Sequence, residues 1–155
     1  MNLNFILYIR NNKCIAFISK SIISFLLLIM GGGIYVLFRP KTLQMFYWID
    51  SWGLMDIVDK VREKVNNISL GNLILYSLPD GLWMASYIIM VTAIIPKEHK
   101  NNLLFWSLLL PFIAILFEIL QRVGIIPGVF DIYDIIFYLI PLLIYIIYLK
   151  YERII

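Results

Sequence analysis

Apolar residues come in four long blocks, separated by short breaks of charge, proline or glycine. The first, Ser21 to Phe38, reads SIISFLLLIMGGGIYVLF, with Lys13 and Lys20 before it and Arg39, Pro40 and Lys41 after it. About 18 residues make roughly 27 Å of helix, close to the thickness of a bilayer core. A cleavable signal peptide is the rival reading; no small-x-small cleavage site follows, and the run is long for such a segment. Gly31 to Gly33 permit close helix packing, the blander reading, or a local kink. The second block predicts a helix over 78–95 ending at Pro96, with Ser77 as N-cap, Pro79 in the first turn and Asp80 completing a capping box. The apolar stretch 68–76 before it either extends that helix or dips into the membrane interface. The third block predicts a helix over 103–120 with a kink at Pro111, and the fourth a helix over 132–149 with Pro141 inside it.

Between the first two blocks the pattern changes. Over 42–65 aromatic residues mix with Asp50, Asp56, Asp59, Lys60, Arg62, Glu63 and Lys64, while Ile57, Val58, Val61 and Val65 recur at helical spacing. Apolar on one side and charged on the other, this stretch predicts an amphipathic helix at the membrane surface, where Trp48 and Trp52 suit the head-group region. An ordinary packed surface helix fits the same pattern.

Composition turns apolar blocks into membrane spans. The chain has 155 residues, 62% of them hydrophobic and 15% charged, with a mean hydropathy of +0.88. A soluble domain is nearer half apolar and about a quarter charged. Lipid must therefore solvate most of the excess. The expected fold is an all-α integral membrane protein, a single domain of four transmembrane helices plus one interfacial amphipathic helix. The net charge of +3 is spread along the chain and flanks the apolar blocks, so the basic residues read as membrane anchors and not as a nucleic-acid surface. With one cysteine, Cys14, no disulfide or Cys-based metal site can form within the chain, and with His99 as the single histidine, His-ligand or Ser-His-Asp chemistry has almost nothing to work with.

Four spans put the N-terminus, the 96–102 loop and the C-terminus on one side. That side carries Arg10, Lys13, Lys20, Lys97, Lys100, Lys150 and Arg153. The other carries Arg39, Lys41, Lys60, Arg62, Lys64 and Arg122, mixed with acids. The bias favours N-in and C-in.

One stretch breaks the apolar pattern with chemistry: FEILQRVGIIPGVFDIYDIIFYLIP, from Phe117 to Pro141. In the four-span arrangement Asp80, Glu118, Gln121, Asp131 and Asp134 all fall at the outer membrane face. Glu118 and Gln121 share a helix face, as do Asp131 and Asp134, and Gly124, Pro127 and Gly128 let the connection turn tightly. An acid at the centre of a span costs about 2.5–3.5 kcal/mol, and less near its ends. Asp80 and Asp131 also fit plain helix caps, worth about 1 kcal/mol each. Glu118 does not: it stands at a helix C-terminal end, where the macrodipole disfavours an anion. Arg122, four residues on, is its natural ion-pair partner.

The arrangement E-x-x-Q, a short Gly/Pro loop, then F-D-x-x-D opening the next span resembles the VanZ-like family of small bacterial membrane proteins. Glu118, Gln121, Phe130, Asp131 and Asp134 carry the resemblance. Val129 stands where family members usually have an arginine, and Tyr138 where an asparagine is common. The resemblance implies a multi-pass protein of the bacterial cytoplasmic membrane, in a family linked by name to teicoplanin resistance, and it names no reaction.

Two functions compete. In the first, the outward carboxylate pocket binds or acts on an envelope lipid, or on a lipid-linked or glycopeptide-like head group. Glu118 and Asp134 would be the catalytic candidates, with Glu118 as general base, and Asp80, Gln121, Arg122 and Asp131 would be ligand-binding. Oxygen ligands without His or Cys would suit Mg²⁺ or Mn²⁺. In the second, the protein is a structural or accessory membrane protein whose polar cluster is an interhelical hydrogen-bond network. A proton-linked transporter fits less well, because the acids lie at one edge and not at the midplane.

Overall fold

The computed structural model describes residues 3–152, with side chains from residue 13 onward. Arg153 and the side chain of Arg10, used above for sidedness, lie outside the described residues. The elements are helices α1 (Leu3–Phe38), α2 (Gln44–Ser51), α3 (Met55–Val65), α4 (Asn72–Tyr76), α5 (Leu78–Ile94), a 3-10 turn (Lys97–His99), α6 (Lys100–Arg122) and α7 (Ile132–Tyr151). No strand occurs among the described residues. Three helical segments are long and apolar enough to cross a membrane: Lys13–Phe38, Lys97–Arg122 and Ile132–Tyr151. At 17 residues α5 is shorter.

Two expected boundaries are corrected. α1 begins at Leu3 and not near residue 21, because no proline or glycine interrupts the chain before Gly31. The single amphipathic helix over 42–65 is two helices. Gly53, at φ 69°, ends α2: its N–H donates to Asp50 O, and Leu54 N–H reaches back to Ile49 O. This pair of bonds is a Schellman stop, which needs a left-handed residue and so favours glycine. Gly124, at φ 74°, ends α6 in the same way, with Gly124 N–H to Gln121 O and Ile125 N–H to Leu120 O.

The expected capping box at Ser77 is also absent. Ser77 is itself helical in backbone and makes no side-chain cap. Ser77 N–H donates to Leu73 O and Gly81 N–H to Ser77 O, so the helical ladder runs from α4 into α5 and needs no cap there. The interruption comes from Pro79, which has no N–H for the carbonyl of Leu75.

Helix α5 is the centre of the bundle. It packs against α1, α6 and α7, most extensively against α1. Met84, Ile88 and Val91 of α5 meet Leu103 of α6 and Tyr145 and Leu149 of α7 in the buried core. Small residues let the helices approach. A Cβ on Gly31 would stand 2.6 Å from Trp83 Nε1 and 3.1 Å from Pro79 O; Gly32 and Gly33 have nothing within 4 Å. The packing expected of the triplet therefore falls on Gly31 alone. Beside it, Ser24 and Ser86 donate to each other's carbonyl oxygens, both at 2.8 Å. Ser107 Oγ donates to Tyr145 Oη at 3.0 Å, tying α6 to α7. Gly31→Ala is expected to dislodge the Trp83 indole from its bond to Leu28 O and to lower the melting temperature, whereas Gly33→Ala should not; thermal unfolding in detergent compares them.

Prolines just past two helix ends create a second set of ties. Pro40 has no N–H for Val36 O, and Pro96 none for Thr92 O. Arg62 Nη1 of α3 donates to Val36 O at 2.7 Å and to Arg39 O at 3.0 Å, docking α3 on the end of α1. Lys41 Nζ lies 2.6 Å from Asp59 Oδ1 at the same junction. Lys20 Nζ of α1 donates to Thr92 O at 3.0 Å. Lys13 with Glu98 (3.6 Å) and Lys97 with Glu152 (2.7 Å) gather α1, the α5–α6 connection and the end of α7 at one end of the bundle. The acidic cluster lies at the other.

Candidate functional site

Three helix ends build the site. Asp80 stands in the first turn of α5, Glu118 in the penultimate turn of α6 and Asp134 in the first turn of α7. The antiparallel packing of these helices brings the three carboxylates within electrostatic range of one another. Asp131 borders Glu118 and Asp134.

Each acid has a different setting. Glu118 is buried at 6% exposure, and its Oε2 accepts the backbone N–H of Asp131 at 3.2 Å. That bond ties the end of α6 to the start of α7 and gives Glu118 a positional role. Asp131 caps α7: its Oδ1 accepts the N–H of Tyr133 at 2.8 Å. The cap reading of Asp131 thus holds, while that of Asp80 does not. Asp80 is half-buried and faces Arg39 as well as the other acids. Asp134 is half-buried, with the buried Ser77 hydroxyl facing its carboxylate. The Arg39 guanidinium lies within electrostatic range of both Asp80 and Asp134.

Gln121 and Arg122 are placed elsewhere. Gln121 packs against Gly128, at φ 143°, where a Cβ would stand 2.6 Å from the amide carbon. Gln121 therefore supports the α6–α7 loop. Arg122 does not pair with Glu118; its guanidinium lies 4.8 Å from the centre of the Phe130 ring, at the exposed surface. Burial explains the choice: Glu118 turns inward to a backbone donor, and an exposed arginine four residues on cannot follow it.

Three contributors were not among the site residues expected from the sequence. Arg39 is the cation of the cluster, held between the rings of Tyr35 (4.8 Å) and Tyr76 (4.6 Å). Tyr138, one turn after Asp134, lies near Asp80, Asp134 and Glu118. Ser77 faces Asp134 instead of capping a helix. A signal for Arg39 existed: it directly follows α1, so an antiparallel α5 begins beside it.

A cavity of about 400 Å³ opens next to the cluster, lined by Asn72, Leu73, Tyr76, Ser77, Asp131 and Tyr133. Four acids, Asp80, Glu118, Asp131 and Asp134, gather around one arginine, Arg39, so the cluster itself favours hydrogen-bond donors and cations. Among the described residues no group of three or more His, Cys, Asp or Glu side chains is arranged to hold a metal ion. The Mg²⁺ or Mn²⁺ expectation thus gains no geometric footing among the described residues. Comparison with family models, with curated proteins and with solved structures returns no match.

Proposed function

We propose that this chain is a bacterial cytoplasmic-membrane protein of VanZ-like type whose carboxylate cluster binds the head group of an envelope lipid or of a lipid-linked or glycopeptide-like ligand. The observation that carries this reading is the convergence of carboxylates from three helices, Asp80, Glu118 and Asp134, on the Arg39 guanidinium beside an open cavity of about 400 Å³. Polar side chains that converge on a pocket from separate helices are the usual pattern of a ligand site. The charge balance selects a head group rich in hydroxyl or ammonium donors. No reaction is assigned. The family reading rests on the spacing of Glu118, Gln121, Phe130, Asp131 and Asp134 alone.

In this reading α4 and α5 together form the fourth span. From Asn72 to Ile94 they make roughly 35 Å of nearly continuous helix. The end of the bundle with Lys13, Lys97 and Lys150 faces the cytoplasm, and the carboxylate end faces outward. The α2–α3 hairpin then lies at the outer interface, where the exposed Tyr47, Trp48, Trp52 and Ile57 enter the head-group region.

The second reading, a structural network, draws on Glu118, whose bond to Asp131 N–H is internal. Thermal unfolding of Asp134→Asn and Glu118→Gln separates the two. Probes would be phosphatidylethanolamine, a polyprenyl-phosphate-linked amino sugar and a glycopeptide. A probe should raise the melting temperature of wild type and lose that effect in Asp134→Asn, whose own stability stays close to wild type. Early melting of both variants, with no probe acting on wild type, would assign the cluster to scaffold.

A further inference from the structure

At the opposite end of the bundle, α1, α5 and α7 leave a groove of about 480 Å³ between them. Its walls include Ile23, Ala85, Ile89, Ile144 and Tyr145, and one cation, Lys20, stands among them. Lys20 and Thr92 also line an adjoining pocket of about 320 Å³ with Lys13, Lys97 and Glu98. An apolar channel thus runs into a basic mouth, and Lys20 marks the junction. Ile23 and Ile144 remain exposed, so the groove is open to the side where lipid would lie.

The charges at the mouth are unequal in their commitments. Lys97 is held by Glu152 at 2.7 Å, and Lys13 is 3.6 Å from Glu98. Lys20 has no carboxylate within ion-pair distance among the described residues. One of its ammonium protons goes to Thr92 O, the carbonyl that Pro96 leaves without a donor. An ammonium has three donors, so two remain. An occupant suited to this place is apolar along most of its length and anionic at one end.

We propose that the groove is a binding site for an anionic phospholipid, with an acyl chain between α1, α5 and α7 and the head-group phosphate held by Lys20. The bilayer supplies this ligand. The site shares no residue with the carboxylate cluster and stands or falls separately from it.

The test uses the full chain in detergent, with phosphatidylglycerol and phosphatidylcholine of the same acyl chains. Native mass spectrometry of wild type should retain phosphatidylglycerol about fivefold over phosphatidylcholine, the scale expected for one basic residue near a head group. Lys20→Gln keeps a donor for Thr92 O and should abolish that preference. Asp134→Asn should leave it intact. A phosphatidylglycerol with a photoreactive group in its acyl chain, on wild type alone, should label peptides containing Ile23, Ala85 or Ile144. Equal retention of both lipids by wild type would overturn the proposal. So would label scattered over the outer face of α6, at Phe105, Phe112 and Phe117. A Lys20→Gln protein that melts earlier yet keeps the phosphatidylglycerol preference would reduce Lys20 to a cap of α5 and sink the assignment.

Discussion

Gly81→Val should destabilise the bundle by about 1–3 kcal/mol, the range for overpacking a filled interface. A Cβ at Gly81 would stand 2.9 Å from Phe137 Cδ1 and 3.1 Å from Phe137 O. The second contact decides the outcome, because a ring can turn away and a backbone carbonyl cannot. Pro141 has no N–H, so Phe137 O loses its helical donor, and the glycine lets α5 approach α7 at that carbonyl. A branched side chain would pry apart the two helices that hold Asp80 and Asp134. Thermal unfolding in detergent should give an early transition for Gly81→Val and an intermediate one for Gly81→Ala. Gly32→Ala is the control: nothing lies within 4 Å of its Cβ position, so it should be neutral or slightly stabilising. Equal behaviour of the variants at both glycines would refute close α5–α7 contact.

Arg39→Gln is the second large effect, with an expected loss of about 1–3 kcal/mol. The substitution removes a guanidinium from between two tyrosine rings and takes from beside Asp80 and Asp134 the one cation that faces them among the described residues. A double-mutant cycle separates these contributions. If Arg39 serves chiefly to balance the acids, Asp80→Asn placed in the Arg39→Gln background should restore much of the lost stability. If the two substitutions add within about 0.5 kcal/mol, Arg39 acts only through its stacking on Tyr35 and Tyr76. Urea or thermal unfolding of the four proteins reads the result.

The apolar blocks were enough to predict all-helical structure. They also located the ends of α5, α6 and α7 to within a few residues, since proline, glycine and charge mark those ends directly. The split at Gly53 was missed because a helix-spaced pattern continues on both sides of it. The long α1 was missed because polar and charged residues from Arg10 to Lys20 end the apolar block, while no proline or glycine ends the helix there.

Within the candidate site the division is similar. Sequence order and antiparallel spans were sufficient to place Asp80, Glu118, Asp131 and Asp134 at one end of the molecule. They could not tell which acid turns inward. Burial set that: Glu118 found a backbone donor at Asp131, and Arg122, left outside, settled on Phe130. Nor could they name the partners that come from other elements. Arg39 joins the acids because Gly31 and Gly81 let α1 and α7 close on α5, and Ser77 does so because Pro79 and not a cap interrupts the helix. The sequence by itself determined where apolar solvent is required and which end of the bundle carries acid, because hydropathy and chain reversal are local and additive. Only the tertiary structure decided which polar groups meet, because that depends on close approaches between helices distant along the chain.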